Sequence, residues 1–217
     1  LEPGESAVDA LHRELREELN IQVTTAYPWI NREFTYPHAT VRLNFFRVQR
    51  WSGELLQVEH DAVAWVDPEN VTLDPVLPAN GPILRGLTLP SKYALTQCFS
   101  MGLGAQMLAV SKALDAGIRL IQMREPELHA DERRDFLHRL LEVCKPRAVR
   151  VLVNADIDLA RSGGADGVHL RADQLRTLRS RPELTWVAAS CHNPDELRAA
   201  EELGVDFAVL GPVAATL

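Results

Sequence analysis

The most constraining feature of this sequence is a short helix near its start that carries several acids beside an apolar stripe. Within AVDALHRELREEL, residues 7–19, an apolar residue recurs at every fourth position and predicts one buried stripe, formed by Ala7, Leu11, Leu15 and Leu19. Three glutamates fall within an arc of roughly 100° beside that stripe: Glu14, Glu17 and Glu18. Carboxylates this close repel one another and destabilise a helix. The pattern therefore indicates that these acids serve a function, because they lower the stability of the helix.

The surroundings of this helix favour a divalent metal site. Ser6 is a suitable N-cap, and Asp9 stands three residues later, where a capping box has a longer acid. Arg13 offsets part of the repulsion through Glu17, four residues on. Clustered carboxylate oxygens suit Mg²⁺ or Mn²⁺, which bridge the phosphates of a substrate. The alternative is a solvated acidic face on an ordinary amphipathic helix.

The spacing of these residues resembles the Nudix box, G-x5-E-x7-R-E-U-x-E-E-x-G-U, in which U is aliphatic. The match runs from Glu5 to Ile21. The first Gly of the box would precede Leu1, and the last is replaced by Asn20, which tolerates the left-handed conformation that ends a helix. We therefore expect the chain to be truncated at its N-terminus.

Further landmarks resemble the MutT type of Nudix hydrolase, which acts on 8-oxo-dGTP. They are Tyr36-Pro37, Trp51 to Glu54, Glu59, Trp65 and Leu77 to Ile83. The resemblance implies an α/β/α sandwich that lacks its opening strands. The expected strands are Ile21–Ala26, Ala39–Arg50 and Ala62–Val66, with Glu33–Pro37 leading into a turn and a further turn at Asp67–Asn70.

The same resemblance implies roles for individual side chains. Mg²⁺, or Mn²⁺, would be held by Glu14, Glu17, Glu18 and Glu59. Arg13 would orient the acids, Glu5 would stabilise the preceding loop, and either Glu14 or Glu18 would take the proton of the attacking water. Asn80 would read the edge of an oxidised guanine, because a carboxamide offers a donor beside an acceptor; the alternative is a turn residue before Gly-Pro. The implied reaction yields 8-oxo-dGMP and pyrophosphate, which removes a damaged nucleotide before DNA replication and so serves DNA repair.

Composition narrows the classes of partner. With 217 residues, of which 46% are hydrophobic, the chain can fill two cores. A formal net charge of −7 argues against a nucleic-acid polymer or an anionic membrane as partner. No signal peptide or membrane-spanning run is visible. The three scattered cysteines, Cys98, Cys144 and Cys191, are expected to be reduced thiols in the cytoplasm, with Cys191 the best candidate for a role.

The pattern changes near residue 86, and strands begin to alternate with helices. We expect a first domain at 1–86, a linker at 87–92 and a second domain at 93–217. The predicted strands are Tyr93–Gln97, Arg119–Met123, Arg150–Asn154, Gly167–Leu170, Trp186–Ser190 and Phe207–Leu210. The predicted helices are Gly104–Ala116, Asp131–Cys144, Ile157–Ser162, a stretch near Gln174–Leu178, and Pro194–Leu203. This α/β series predicts a parallel sheet, either open or closing as a partial (β/α)8 TIM barrel.

Polar residues follow the carboxyl ends of these strands, where a barrel places its ligand. They are Gln122, Arg124, Asn154, His169, Ser190, His192 and Gly211. One such residue could simply cap a helix, but a series at successive strand ends predicts a binding face.

The second half resembles thiamine-phosphate synthase and its TenI-like relatives. The motifs are Gln122–Glu125, Val153-Asn154, Gly164–Leu170, Ser190–His192 and Gly211–Val213. The chain departs from the family pattern at three positions: Pro126 replaces a lysine, and Ala155 and Gln174 replace two metal-binding aspartates. The last two barrel strands would follow Leu217, so we expect truncation at this end as well.

Three functions follow as hypotheses. The first is the Mg²⁺-dependent nucleotide pyrophosphohydrolase. The second is a thiamine-phosphate synthase, against which the three departures count. The third is a barrel without catalysis that binds a phosphorylated thiamine precursor.

Overall fold

The computed structural model describes residues 1–56, 58 and 62–212. The chain divides into two compact units, Leu1–Ala79 and Asn80–Leu217. In the described ranges no helix is both long enough and apolar enough to cross a membrane.

The first unit begins with the predicted acidic helix, α1 (Ala7–Leu19). Ser6 caps it as expected: its Oγ accepts from the Asp9 N–H at 3.2 Å and donates to the Asp9 carboxylate at 2.6 Å. Asn20 ends the helix in the left-handed region, with a φ of 58°. A residue that tolerates this conformation therefore occupies the position of the box's last glycine.

The helix is followed by one long antiparallel hairpin, β1 (Gln22–Tyr36) and β2 (Ala39–Ser52). The expected first strand is thus too short. Glu33–Tyr36 forms the end of β1 and leads into a turn at Pro37-His38, as predicted. The apolar stripe of α1 is only half-buried, which corrects the expectation of a buried one. The reason is that, among the described residues, a single hairpin packs beside the helix.

The predicted strand Ala62–Val66 does not form. A strand needs a hydrogen-bonding neighbour, and the ladder of the hairpin pairs only β1 with β2 in the described part of this unit. Trp65 remains 81% exposed and stacks on Trp51, with ring centroids 6.1 Å apart. The turn after it is present, since the Asn70 N–H donates to the Asp67 carbonyl at 2.9 Å.

The segment after β2 runs along the end of α1. The backbone N–H groups of Leu56 and Val58 donate to the carbonyls of Leu19 and Glu18, each at 3.1 Å. Gly53 makes this approach possible: its φ is +94°, and a Cβ there would lie 2.8 Å from the Asn20 carbonyl oxygen. The helix end and the segment 53–58 are therefore held together by backbone bonds.

The second unit is a sheet of six parallel strands in sequential order, as predicted. The strands are β3 (Ala94–Leu95), β4 (Leu120–Met123), β5 (Arg150–Asn154), β6 (Gly167–Leu170), β7 (Trp186–Cys191) and β8 (Phe207–Leu210). The predicted helices are also present, as α4 (Leu103–Asp115), α5 (Ala130–Cys144), α6 (Ile157–Ser162), α7 (Ala172–Thr177) and α8 (Pro194–Leu203). Two short helices were not anticipated, α2 (Gly81–Leu87) and α3 (Cys98–Met101).

The strands alternate between two buried faces. Residues such as Ile121, Val151 and Val187 pack against the helices in the larger core. Their neighbours Leu152 and Trp186 point to the opposite face, into a smaller inner core. Because side chains in a strand alternate with a period of two, the inner face continues toward the carboxyl ends of the strands as polar residues.

Asp206 anchors the opposite end of the sheet. Its carboxylate accepts from the Val187 N–H at 2.7 Å and from Arg181 at 2.8 Å. It also pairs with Arg85 of α2, whose guanidinium lies over the ring of Trp186, 4.0 Å from its centroid. Residues 81–87 are therefore packed as part of the barrel unit.

Replacing Gly53 with alanine is expected to lower the free energy of unfolding of the first unit by about 2–3 kcal/mol, because strain at positive φ adds to a backbone clash. Gly4→Ala is the matched control: its φ is +83°, but nothing lies within 4 Å of the added Cβ, so about 1 kcal/mol is expected. Denaturant unfolding followed by tryptophan fluorescence measures both. Equal losses would show that the close approach to Asn20 contributes nothing.

Candidate functional site

Arg13 is the centre of the acidic cluster in the first unit. Its Nε and Nη2 donate to the two oxygens of Glu5 at 2.9 and 3.1 Å. Nη1 donates to Glu17 at 3.1 Å and Nη2 to Glu14 at 3.3 Å. One guanidinium thus bonds to the loop before α1 and to two acids on the helix itself, which offsets much of their repulsion.

Glu5 is the most perturbed acid of this cluster. The hydrogen bond from Arg13, followed by one from the Glu2 N–H, lowers the pKa of the Glu5 carboxyl from 4.5 to about 2. The same pair raises the pKa of Arg13. The side chain of Glu5 is 12% exposed, whereas those of Glu14 and Glu17 are 50% and 55% exposed. Glu5 therefore positions Arg13, and the helix acids remain accessible to a ligand.

The helix acids have the chemistry of a magnesium site. They are hard oxygen donors, and Arg13 bonds to one oxygen of each of Glu14 and Glu17. In the part of the chain that the structure describes, no three metal-ligating side chains converge on one point. Glu59, the expected fourth ligand, lies outside the described residues. Glu14 and Glu17 thus supply oxygen donors of the type that Mg²⁺ takes, on one accessible face of the helix.

Asn80, the candidate base reader, lies at the junction of a 3₁₀ turn (Pro78–Asn80) and α2. It occupies the N-cap position, yet its side chain makes no capping hydrogen bond to the described helix. Pro82 near the helix start removes one backbone N–H that a cap would otherwise satisfy. The Asn80 carboxamide is thus not used by the helix that it precedes.

In the second unit the predicted strand-end residues surround one cavity of about 380 Å³. Its polar lining comprises Tyr93, Gln122, Arg124, Asn154, His169, Arg171, Ser190 and His192. Of the predicted residues, Gly211 is not part of this lining; its N–H donates to the Cys191 carbonyl at 3.0 Å. The lining contains two arginines and no carboxylate, so the cavity is suited to an anion.

A chain of hydrogen bonds runs beneath this cavity. Asn154 Nδ2 donates to Gln122 Oε1 at 3.1 Å, and Gln122 Nε2 donates to the Tyr93 hydroxyl at 3.2 Å. The Tyr93 hydroxyl lies 3.1 Å from His169 Nδ1, and His169 Nε2 lies 2.9 Å from Ser190 Oγ. Gln122, Asn154, His169 and Ser190 come from the inner faces of β4 to β7, and Tyr93 directly precedes β3, so the alternation of the strands brings these groups together.

The chain can run in two directions, depending on the tautomer of His169, and we assign the one that keeps the Tyr93 hydroxyl proton within the chain. Burial, and secondarily the charge of Arg124, lowers the pKa of His169 from 6.5 to about 4, so its ring carries a single proton. Burial raises the pKa of Tyr93 and keeps its hydroxyl protonated. Since Tyr93 already accepts from Gln122, it donates to Nδ1, and His169 donates from Nε2 to Ser190. The hydroxyl proton of Ser190 is then left to donate into the cavity.

His192 reaches the cavity from the end of β7. Glu196 accepts from its backbone N–H at 2.8 Å and lies 3.0 Å from its Nδ1. These bonds, with Arg176 as a further charge, lower the pKa of Glu196. The His192 side chain is 53% exposed, so its other ring nitrogen can meet a ligand.

Sequence reasoning did not assign Tyr93, Arg171 or Glu196 to the site. Tyr93 could have been found from the two-residue period, which places it on the same face as Leu95. Glu196 stands four residues after His192, the spacing of neighbours on a helix. Arg171 carries no such signal, because it lies in the loop after β6.

The three cysteines are free thiols in buried positions. Burial raises the pKa of each, that of Cys144 to about 12. The structure does not support a reactive role for Cys191, because a buried, protonated thiol is a poor nucleophile.

Arg13→Gln is expected to raise the pKa of Glu5 from about 2 toward 4.5, because the largest cause of the shift is removed. In the parent, the pair stabilises the fold fully above pH 4.5 and loses its effect as the pH falls through about 2. NMR titration of the Glu5 carboxyl carbon measures the midpoint, and Arg16→Gln on the same helix is the control. A midpoint unchanged by Arg13→Gln would contradict the assignment.

His169 is expected to titrate near pH 4 with its neutral proton on Nε2. Since the unfolded chain binds that proton at higher pH, the stability of the second unit should rise between about pH 4 and 6.5. Nitrogen-15 NMR distinguishes the tautomers, and Tyr93→Phe should move part of the population to Nδ1–H. An Nδ1–H tautomer in the parent would reverse the direction of the hydrogen-bond chain and contradict the assignment of the Ser190 proton.

Comparison with known proteins finds a different family model for each part of the chain. Residues 93–217 match the family model described as thiamine monophosphate synthase, and residues 1–87 match the NUDIX domain model. The thiamine-phosphate synthase of Pelotomaculum thermopropionicum is 35% identical over 61% of this chain and 62% of its own length. The bifunctional thiamine biosynthesis protein ThiM/ThiE of Symbiobacterium thermophilum is 33% identical over 64% of this chain and 30% of its own.

A solved thiamine phosphate pyrophosphorylase from Pyrococcus furiosus superposes with a TM-score of 0.48 at 25% identity, over 56% of this chain and 60% of that one. The chain spans less than two thirds of each of these relatives. The larger family match nevertheless covers more than half of the 217 residues. The chain thus belongs to the thiamine monophosphate synthase family through residues 93–217 and carries a Nudix domain in residues 1–87.

Proposed function

We propose that the first domain, residues 1–86, is a Mg²⁺-dependent nucleoside triphosphate pyrophosphohydrolase whose preferred substrate is 8-oxo-dGTP. The observation that carries the proposal is the position of Arg13, bonded to Glu5, Glu14 and Glu17 within a NUDIX match. An ordinary solvated acidic face on an amphipathic helix does not account for Glu5, a loop residue that holds Arg13 through two hydrogen bonds.

Glu14, Glu17, Glu18 and Glu59 would hold the ion. Bound Mg²⁺, or Mn²⁺, supplies positive charge against the phosphates and lowers the pKa of water. Arg13 fixes the rotamers of Glu14 and Glu17, and the Glu5 carboxylate keeps Arg13 in place. Either Glu14 or Glu18 accepts the proton of the attacking water.

The backbone near Glu18 supports its part in the site. Its carbonyl accepts from Val58, and Val58 precedes Glu59 in the sequence. This bond ties the end of α1 to the segment that leads to the proposed fourth ligand. The base preference rests on Asn80, whose carboxamide does not cap α2.

Glu18→Gln is expected to reduce Mg²⁺-dependent pyrophosphate release by at least a hundredfold, because an amide is neither a base nor a strong ligand for this ion. Glu33→Gln, an exposed acid on β1, is the matched control and should retain full turnover. A coupled pyrophosphate assay on the full chain measures both. Parental turnover in a folded Glu18→Gln would rule out the proposed site.

Asn80→Ala is expected to lower the ratio of kcat/KM for 8-oxo-dGTP over dGTP by about tenfold or more, the effect of losing paired hydrogen bonds to a base edge. Asn70→Ala removes a turn carboxamide, bonded to Asp67, and should leave the ratio unchanged. The same assay run with both nucleotides gives the answer. An unaltered ratio in Asn80→Ala would mean that another residue sets the preference.

A second candidate function belongs to the barrel, which binds a phosphorylated precursor of thiamine. The observation in its favour is the cavity of about 380 Å³ with two arginines and no acidic lining residue. The match to the thiamine monophosphate synthase family supports the ligand class. The residues in the positions that bind the metal and phosphates in the family differ here: Pro126, Ala155 and Gln174.

A further inference from the structure

The two positions where the family pattern has metal-binding aspartates are adjacent in this fold. Ala155 follows β5 in the left-handed region, with a φ of 61°. Gln174 lies on α7, and its Nε2 donates to the Ala155 carbonyl at 2.8 Å. A methyl group and an amide that bonds to the backbone thus occupy the place of two carboxylates. These residues do not fit Mg²⁺.

The remaining carboxylates around this place are committed to other partners. Asp156 caps α6 by accepting from the Leu159 N–H at 2.9 Å. Glu125 is buried and accepts from the N–H groups of Cys98 and Phe99 at 2.6 and 3.0 Å. Asp173, beside Gln174, is held by Arg171 through two bonds of 2.9 and 3.0 Å. Asp158, which also lines the neighbouring cavity, is exposed and pairs with Arg161 at 3.5 Å. Among the described residues, no group of three or more metal-ligating side chains is placed to hold an ion.

We propose that the barrel cavity binds its phosphate-bearing ligand directly, without a metal ion, and that Arg171 supplies the positive charge that the ion would otherwise provide. This inference rests on the second candidate function, that the barrel binds a phosphorylated compound. It adds the residue responsible and the independence from Mg²⁺.

The position of Arg171 supports this role. It lines the cavity of about 380 Å³ and also its neighbour of about 510 Å³, and the two cavities share Asn154 as well. Asp173 engages only Nε and one N–H of Nη2. A guanidinium has five N–H donors, so three remain for a ligand while Asp173 fixes the plane of the fork.

The other polar groups favour an anion in the same way. Arg124 lines the same cavity as Arg171, and the Ser190 hydroxyl donates to a ligand when His169 carries its proton on Nε2. A donor-rich pocket with two positive charges favours a phosphate ester or a diphosphate over a neutral heterocycle.

The test is isothermal titration calorimetry of the full chain with inorganic pyrophosphate, in buffer containing EDTA and in buffer containing Mg²⁺. EDTA also silences metal-dependent binding in the Nudix domain, so the barrel is measured alone. Arg171→Gln is compared with Arg134→Gln, an exposed arginine of α5 that pairs with Asp131 three residues away and lines neither cavity. Melting temperatures confirm that both variants are folded.

We expect binding in EDTA that weakens about tenfold to a hundredfold in Arg171→Gln, remains parental in Arg134→Gln and falls with added salt. Arg171-dependent binding that requires Mg²⁺ would overturn the inference and leave the anion-binding function in place. No binding in either buffer would overturn both. Parental affinity in Arg171→Gln would remove Arg171 from the site.

Discussion

The alternation of side chains along the parallel strands is the constraint on which the second unit depends. Every inward residue has an outward neighbour, so the sequence of each strand serves the helix-facing core and the interior of the barrel at once. In β4, Leu120 and Gln122 face inward while Ile121 and Met123 pack under the helices. The polar floor of the cavity exists because this order continues to the end of the strand.

This constraint also explains what sequence could predict. The strands at Arg150–Asn154, Gly167–Leu170 and Phe207–Leu210 could be predicted from short, mainly apolar runs bounded by turns, and these are local properties. The residues of the cavity follow from strand ends, because parallel strands present their carboxyl ends at one edge.

The features that could not be predicted depend on contacts distant in sequence. Arg171 reaches the site because β5 pairs with β6, which brings it to a cavity that Asn154 also lines. The direction of the proton chain depends on the burial of His169, which no local pattern encodes. The segment Ala62–Val66 shows the converse, since its apolar alternation predicts a strand that lacks a partner in the described part of the chain.

The two proposed sites would bind phosphate groups by opposite electrostatic means. In the Nudix domain, acids outnumber the one arginine that holds them, an arrangement suited to recruiting cations. In the barrel, the proposed site would contact the anion through guanidinium groups and the Ser190 hydroxyl. In the first unit, acidic side chains hold an arginine in place and outnumber it. In the second unit, Asp173 holds Arg171 in place and does not itself line the cavity.

Arg85 lies within the residues matched by the NUDIX model, yet its guanidinium is fixed by Asp206, the Thr185 carbonyl and the face of Trp186. A domain boundary placed between the two family matches would separate α2 from the sheet against which Arg85 packs. A barrel expressed from residue 93 onward would leave the buried Asp206 with Arg181 as its remaining cation and would uncover one face of Trp186. Gene fragments intended to yield the barrel alone should therefore begin before Asn80, where the compact unit starts.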